Sequence, residues 1–577
     1  MTREIQIVLF LVVLCTVCVA KNDRESDVVR TKNGRVRGVI KQTVWNKIEY
    51  SSFMGIPYAK PPLGHLRFKP PVPVGSWRRT LAAVKEGDAC PQIDLFTNEY
   101  IGNEDCLYLN VFTPQFRPRS TLKPVMTWIY GGSFMLGYSN MSLYGPDFFI
   151  EEDVVLVSFN YRIGALGFLS LNHSDALGNG GLKDQNLALR WVRNNIAAFG
   201  GDPNQVTIFG QSAGAASVGL HVLSEKSRGL FKQSILMSGS PLCQWAFHSP
   251  RKARMNSERL GHLLGHKATN TDDLVEFLYQ IPARDIVHAM MKVDLYSTLY
   301  FKHFQGLLPY RPTIENSEIA PEESTFLIKC PIEKYLSGNY TPNSMMLGYT
   351  HDESLLFFEC EYYENIRGAP NPTETTRKLI REVTGINGVW DKILANLTEE
   401  AMESIPNPYL EDLLKIITNI FFAAPIDLTQ KLLSKWNHDH PIYYYRLSYQ
   451  SKYSYLKTKI QGTAHTDDIG FLFNVKEMIT PTDLNDPFNV FRKKMVSLWA
   501  NFAKYGNPTP KLSNDNVFDV TWLDSTNSGM QLEINETSVM KQRLVDKLTE
   551  VYENHLLTVS PTKYSCGSTS TGSLSIF

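Results

Sequence analysis

Net charge is the first thing this chain lacks: 58 lysines and arginines are matched by 58 aspartates and glutamates. With no excess of either sign there is no global field to gather nucleic acid or an anionic lipid surface, which excludes those classes as the main role. Long apolar runs are scarce as well. Beyond the N-terminus no segment holds the roughly 18 uninterrupted apolar residues of a membrane span. The C-terminal Ser568-Thr-Ser-Thr-Gly-Ser-Leu-Ser-Ile-Phe577 is polar, without the tail of a lipid-anchor signal or a Lys-Asp-Glu-Leu type of address. Cysteine is sparse, 8 in 577 residues. Cys15 and Cys18 fall in an N-terminal apolar run, and Cys90, Cys106, Cys243, Cys330, Cys360 and Cys566 lack the paired CxxC spacing of a zinc site. A disulfide scaffold is excluded; one or two bridges on a core-stabilised fold are expected. No internal repeat or long linker interrupts the chain, and 43% hydrophobic with 20% charged residues is an ordinary globular balance.

What is present at the N-terminus is an export signal. An arginine at position 3 precedes an apolar run from Ile5 to Val19, and Cys18-Val19-Ala20 supplies a small-residue exit, so residues 1–20 read as a secretory signal peptide. Sequons at Asn140, Asn172, Asn339, Asn396 and Asn535 agree with an exported, extracellular glycoprotein. Residues 21–560 then form one large domain, with 561–577 as a polar tail.

Val28–Ile40 reads as a hairpin around Asn33-Gly34, a pair suited to a tight turn with positive φ. Apolar runs recur at Val125–Tyr130, Val154–Asn160, Val206–Phe209, Met345–Leu347 and Ile442–Leu447. Leu182–Phe199 and Val490–Tyr505 carry apolar residues at helical spacing. This alternation predicts an α/β fold with a large, mostly parallel sheet and helices on both faces. Residues 250–430 are richer in helical patterns and suit a subdomain over the strand ends, where such folds bind ligands. Val539–His555 reads as a C-terminal amphipathic helix.

The sharpest chemical signal is Val206-Thr-Ile-Phe-Gly-Gln-Ser-Ala-Gly214, in which a buried strand runs into Gly-x-Ser-x-Gly and a helix starts at once. The glycines allow a cramped turn that lifts the Ser212 hydroxyl above the sheet edge, at a helix N-terminus that favours negative charge. A serine needs a base, and the base an orienting acid, in chain order serine, acid, histidine. His351, His438, His440, His465 and His555 follow far enough along. Order sets aside His351; His438 and His440 enter a strand; His555 sits on the C-terminal helix. His465, in Gly462-Thr-Ala-His-Thr-Asp-Asp468, occupies a glycine-led loop that suits a base. For the acid, Leu347-Gly-Tyr-Thr-His-Asp-Glu-Ser354 offers Asp352 or Glu353, and spacing does not choose between them.

With these residues in view the chain resembles the type-B carboxylesterase and cholinesterase family of α/β-hydrolases, and within it the secreted insect carboxylesterases. The likeness runs through Phe53-Met-Gly-Ile-Pro-Tyr-Ala59, Leu66-Arg-Phe68, Glu104-Asp-Cys-Leu-Tyr-Leu-Asn-Val-Phe-Thr-Pro114, Trp128-Ile-Tyr-Gly-Gly-Ser-Phe134, Asn160-Tyr-Arg162, Lys183-Asp-Gln-Asn186 and Phe199-Gly-Gly-Asp-Pro-Asn204. It implies a helical subdomain over an active-site gorge. It also implies Ser212 as nucleophile, His465 as base and Glu353 as acid, with an oxyanion hole from the N–H groups of Gly132, Ser133 and Ala213. Losing one such donor typically costs about 3 kcal/mol of barrier. Many relatives carry a third glycine where Ser133 stands, so the acyl pocket is expected to be narrower here. The resemblance further implies a Cys90–Cys106 disulfide, ion pairs Arg67–Glu104 and Arg162–Asp184, and support of the acid and base by Ser238 and Asp468.

Cholinesterases hold a quaternary ammonium over a tryptophan in the first disulfide loop. The loop from Cys90 to Cys106 has no tryptophan, and Gln211 stands where cholinesterases carry a glutamate. The resemblance therefore implies hydrolysis of small hydrophobic carboxylic esters through an acyl-enzyme, with no metal or organic cofactor and no nucleic acid or membrane anchor. The Gly-Gln-Ser-Ala-Gly form is shared with insect juvenile hormone esterases and with other insect carboxylesterases. A slow-turnover scavenger and a catalytically silent binding protein are the competing classes, and the intact triad disfavours the second. If the C-terminal helix packs on its own chain, a monomer or weak homodimer is expected.

Overall fold

The computed structural model describes residues 24–94, 97–114, 121–267, 270–293, 309–357, 409–454, 461–511, 518, 520–544, 549, 550, 553 and 557. The expected signal peptide, the 561–577 tail, Cys360, Asn396, His555 and Cys566 lie outside these residues.

The strands of the main sheet are β1 (Glu25–Arg30), β2 (Arg35–Gln42), β3 (Glu49–Pro57), β4 (Tyr108–Pro114), β5 (Lys123–Ile129) and β6 (Val155–Phe159). They continue as β7 (Gly201–Gln211), β8 (Gln233–Met237), β9 (Ser344–Thr350), β10 (Ile442–Leu447), β11 (Gln531–Ile534) and β12 (Val539–Lys541). With the short Leu81–Ala82 strand added to β2 they form a 13-stranded sheet in the order β1-β2-β3-β4-β6-β5-β7-β8-β9-β10-β11-β12. Pairing is parallel from β6 through β11 and antiparallel toward both edges. The expected hairpin is β1–β2, and only Gly34 of its turn takes a positive φ.

The parallel block is buried on both faces, which is why its strands read as continuous apolar runs rather than alternating ones. Every residue of β6 and β8 is buried. Side-chain parity along β7 assigns the covering helices. On one face the Thr207 hydroxyl bonds Gln233, whose amide donates to the Phe502 carbonyl of α8 (Pro487–Tyr505). On the other, a Cβ on Gly210 would lie 2.6 Å from the Gly214 backbone of α2 (Ala213–Leu223), so only glycine admits that helix so close. Phe209 shares the α8 face with Trp128, Phe149 and Phe473, at ring-centroid distances of 4.8, 5.6 and 6.0 Å. Burying each such side chain contributes about 1.5–3 kcal/mol.

Two implied ion pairs pin the connections. Arg162 forks onto Asp184 at 2.6 Å, inside α1 (Gly180–Asn195), where both are buried. Arg67 meets Glu104 at 2.7 Å and also donates to the Leu278 and Ile281 carbonyls. Those acceptors close the C-terminal end of α4 (Thr271–Gln280), which lies between α3 (Pro250–Leu263) and α5 (Ala283–Met290). Cys90 and Cys106 are bonded to each other, Cys330 is disulfide-bonded, and Cys243 is a buried free thiol.

Within the 250–430 stretch the expected Met345–Leu347 run is the central strand β9, and α6 (Tyr409–Thr418) and α7 (Ala424–Ser434) follow it. One reading of the sequence needs correction. Val539–Lys541 is not the start of a helix. It pairs with β11 as β12, because the polar Asn535–Ser538 link turns the chain back onto the sheet edge.

Candidate active site

β7 ends at Gln211 and α2 begins at Ala213, so Ser212 alone reverses the chain, with φ 58° and ψ −125°. A non-glycine residue persists there only when its surroundings over-determine it. They do so by contact. A Cβ on Gly214 would lie 2.0 Å from the Ile129 carbonyl oxygen, and one on Gly239 would lie 2.4 Å from the Ser212 carbonyl oxygen. The Ser212 N–H is held by the Met237 carbonyl at 2.8 Å.

Facing this turn is the Gly131–Phe134 segment, where Gly132, Ser133 and Phe134 have φ values of 112°, 56° and 60°. Ser133 holds the backbone conformation that would come without strain to glycine. The N–H groups of Gly132 and Ser133 have no acceptor among the described residues, and that of Ala213 opens α2, where helix N–H groups lack intrahelical partners. The three expected oxyanion-hole donors are therefore available for an anion.

Spacing left Asp352 and Glu353 open and the resemblance implied Glu353; the imidazole meets Glu353. Glu353 is fully buried, one carboxylate oxygen accepts the Thr350 N–H at 2.8 Å, and the other takes a short hydrogen bond from Nδ1 of His465. Asp352 instead accepts the Thr463 N–H at 2.9 Å and pairs with exposed His351 at 2.8 Å. Two adjacent amides ahead of the imidazole are thus held by carboxylates, for Asp467 accepts the Ala464 N–H at 2.7 Å and the Ser454 hydroxyl at 2.5 Å. Burial above all, with nearby Glu353 and Asp352 adding repulsion, pushes the Asp467 carboxyl up to about 6. His438 and His440 stay in the loop before β10.

Asp468 is buried against this centre, and among the described residues no side chain hydrogen-bonds either of its oxygens. Burial, then the charges of Glu353 and Asp467, drive its carboxyl well above the usual range, which favours the protonated form. The Ser238 hydroxyl is also buried without a partner among the described residues, although its N–H bonds the Gly348 carbonyl at 2.8 Å. Neither residue hydrogen-bonds the acid or the base.

Three features escaped the sequence reading. A π-helical turn, Asn419–Ala423, joins α6 to α7 and lays Phe422 4.9 Å from the His465 ring. Trp245 stands 5.7 Å from Phe422, donates to the Phe421 carbonyl at 2.9 Å, and lies within 3.0 Å of where a Cβ on Gly239 would sit. Together they form an apolar wall beside Ser212. The third is Gln211, whose amide nitrogen lies 3.0 Å from Nε2 of His465. A pair of phenylalanines in an apolar helix reads as core, so no local pattern separates them from packing residues.

Asn172 and Asn339 are exposed. Asn140 and Asn535 are half-buried, with amides bonded to Tyr138 and Ser448 at 2.8 and 3.2 Å. Among the described residues no helix is long and apolar enough to cross a membrane.

A profile described as the carboxylesterase family matches residues 25–551. The chain is 34% identical over 508 residues to juvenile hormone esterase from Tribolium castaneum, covering 84% of each. It is 33% identical over 511 residues to acetylcholinesterase from Bungarus fasciatus, covering 83% of this chain and 78% of that one. The crystal structure of juvenile hormone esterase from Manduca sexta with OTFP covalently attached superposes with a TM-score of 0.78 at 27% identity, covering 92% of this chain and 99% of that one. With an α/β-hydrolase sheet, a serine at its strand–helix turn and these relatives, the chain belongs to the carboxylesterase family and is a carboxylic-ester hydrolase.

Proposed function

We propose that the protein is an exported serine esterase that hydrolyses hydrophobic carboxylic esters through an acyl-enzyme, with Ser212 as nucleophile, His465 as base and Glu353 as acid. The observation that carries this reading is the hydrogen bond between buried Glu353 and Nδ1 of His465. An ionised carboxylate accepts only, so the ring proton sits on Nδ1 and Nε2 presents a lone pair. Nε2 takes the Ser212 proton as Oγ attacks the ester carbonyl, and the oxyanion enters the Gly132, Ser133 and Ala213 donors. The imidazolium then protonates the departing alcohol. Water, deprotonated by the same nitrogen, releases the acid and restores Ser212. No cofactor is called for by these steps.

The wall of Trp245 and Phe422 favours apolar acyl groups, and the first disulfide loop offers no tryptophan to a quaternary ammonium. The covalent adduct of the Manduca sexta relative supports covalent chemistry on this scaffold. Residues 21–560 make one catalytic domain, preceded by a signal peptide and followed by a polar tail. Exposed Asn172 and Asn339 are the sequons best placed for glycans.

Stopped-flow hydrolysis of 4-nitrophenyl acetate tests the assignment. Sustained release that disappears in Ser212→Ala is expected; retained release in that variant overturns it. A single equivalent followed by a plateau overturns the turnover claim and leaves a scavenger.

A further inference from the structure

Nε2 of His465 has two claimants. With Nδ1–H given to Glu353, that nitrogen of the neutral ring can only accept. Gln211 stands 3.0 Å from it through its side-chain nitrogen, so the amide is the donor. Among the described residues the adjacent Ser212 hydroxyl has no hydrogen-bond partner at all, although its proton needs the same lone pair for attack. The amide is not free to swing at random. Gln211 is 3% exposed, it is the last residue of β7 and pairs with Met237, and its oxygen lies 3.1 Å from where a Cβ on Gly131 would sit. One face of the side chain thus abuts the segment carrying the oxyanion donors and the other holds the base.

We infer that Gln211 is a positioning residue that occupies the proton-accepting nitrogen of His465 between turnovers, so that the serine becomes a nucleophile only when the entering ester displaces the amide. The inference rests on the triad assignment above. It gives the glutamine a cost as well as a use: the ring is held in the tautomer and plane needed for catalysis, but each acylation begins by breaking one buried hydrogen bond. Removing the donor while keeping the bulk therefore speeds acylation. A hydrogen bond of ordinary net strength corresponds to about fivefold in rate. Placing a carboxylate there reverses the preference, because an acceptor beside Nε2 favours a proton on that nitrogen.

The test compares wild type, Gln211→Met and Gln211→Glu in pre-steady-state acylation by 4-nitrophenyl acetate and in the pH dependence of kcat/KM, with melting temperatures recorded for each. Gln211→Met is expected to acylate about fivefold faster, with KM moved less than the acylation rate. Gln211→Glu is expected to shift the acid limb of the pH profile upward by about one unit, which lowers kcat/KM by up to about tenfold on the acid side of that limb. Slower acylation in Gln211→Met that tracks a lowered melting temperature overturns the inference, as does an unmoved rate and an unmoved pH profile in Gln211→Glu. If Ser212→Ala keeps its activity, the triad assignment itself fails. If that variant is inactive while both Gln211 variants match wild type, only the present inference fails.

Discussion

The two sides of the proposed reaction centre are built by different means. The serine side consists of β7, Ser212 and α2, with Gly131, Gly214 and Gly239 bringing backbones to the limit of contact. The base side consists of irregular segments around Glu353, Phe422 and His465, held by side-chain carboxylates on backbone amides. Backbone contact leaves no freedom, whereas a carboxylate clasp can lengthen, titrate or be replaced. Errors on the first side should therefore destroy the fold, and errors on the second should change chemistry while the fold survives.

The largest effect expected is that of Gly214→Ala. One methyl group would enter at 2.0 Å from the Ile129 carbonyl oxygen, and both walls are backbone, so neither can rotate away. Overpacking of a core by a methyl group usually costs about 1–3 kcal/mol, and here the serine turn itself must open. Expression should yield aggregated or inactive protein. Soluble, cooperatively melting and active Gly214→Ala would break the claim that this side is fixed by contact.

Next comes Glu353→Gln on the base side. The amide oxygen can still accept the Thr350 N–H, but the amide nitrogen would then donate to Nδ1 and drive the ring proton onto Nε2. A base in the wrong tautomer cannot take the serine proton, and the comparable change in a protease triad lowers kcat by about 10⁴. The expected result is a loss of that order with a melting temperature close to wild type. A large fall in melting temperature would show that Glu353 holds the fold as well as the ring.

The same difference governs what could be read beforehand. The serine turn is one continuous strand–turn–helix pattern with glycines at fixed offsets, so Ser212 and its flanking elements were legible residue by residue. Spacing could not separate Asp352 from Glu353, which only the resemblance did, because both stand in one loop and the choice depends on which carboxylate faces a histidine 112 positions away. Phe422 was invisible for a related reason: a π-turn, not a sequence period, rotates it onto the imidazole. At the C-terminus, Val539–Lys541 carries too few residues to show a period, and its strand state is imposed by β11 alone.

A smaller effect should appear in Asp467→Asn, and it concerns stability rather than turnover. Burial raises the carboxyl to about 6, against about 3.9 for an unfolded aspartate. Between those values the folded chain binds more protons than the unfolded one, so this group's contribution to stability falls as pH rises from about 4 to about 6. Two units amount to about 3 kcal/mol. The asparagine oxygen can accept the Ala464 N–H and its nitrogen can donate to Ser454, so the clasp is kept and the titration removed. Urea unfolding from pH 4 to pH 7 should show a flatter decline in the variant. Parallel curves would mean that the carboxylate is already solvated at neutral pH and that the clasp is looser than its distances suggest.

The smallest effect is expected for Gly462→Ala, the counterpart of the first substitution on the opposite side. This glycine does not require a positive φ, and its added Cβ would meet the end of Leu355 at 2.6 Å and a carboxylate oxygen of Asp352 at 2.8 Å. Both obstacles are ends of side chains, able to turn aside where the Ile129 carbonyl cannot. Moving Asp352 stretches its bond to the Thr463 N–H, two residues before the imidazole, so a fall in kcat of less than about tenfold is expected from the loss of positioning. The protein should remain folded. If Gly462→Ala is instead as damaging as Gly214→Ala, the carboxylate clasp transmits strain as stiffly as packed backbone. The contrast between the two sides would then be one of sequence legibility alone, not of mechanics.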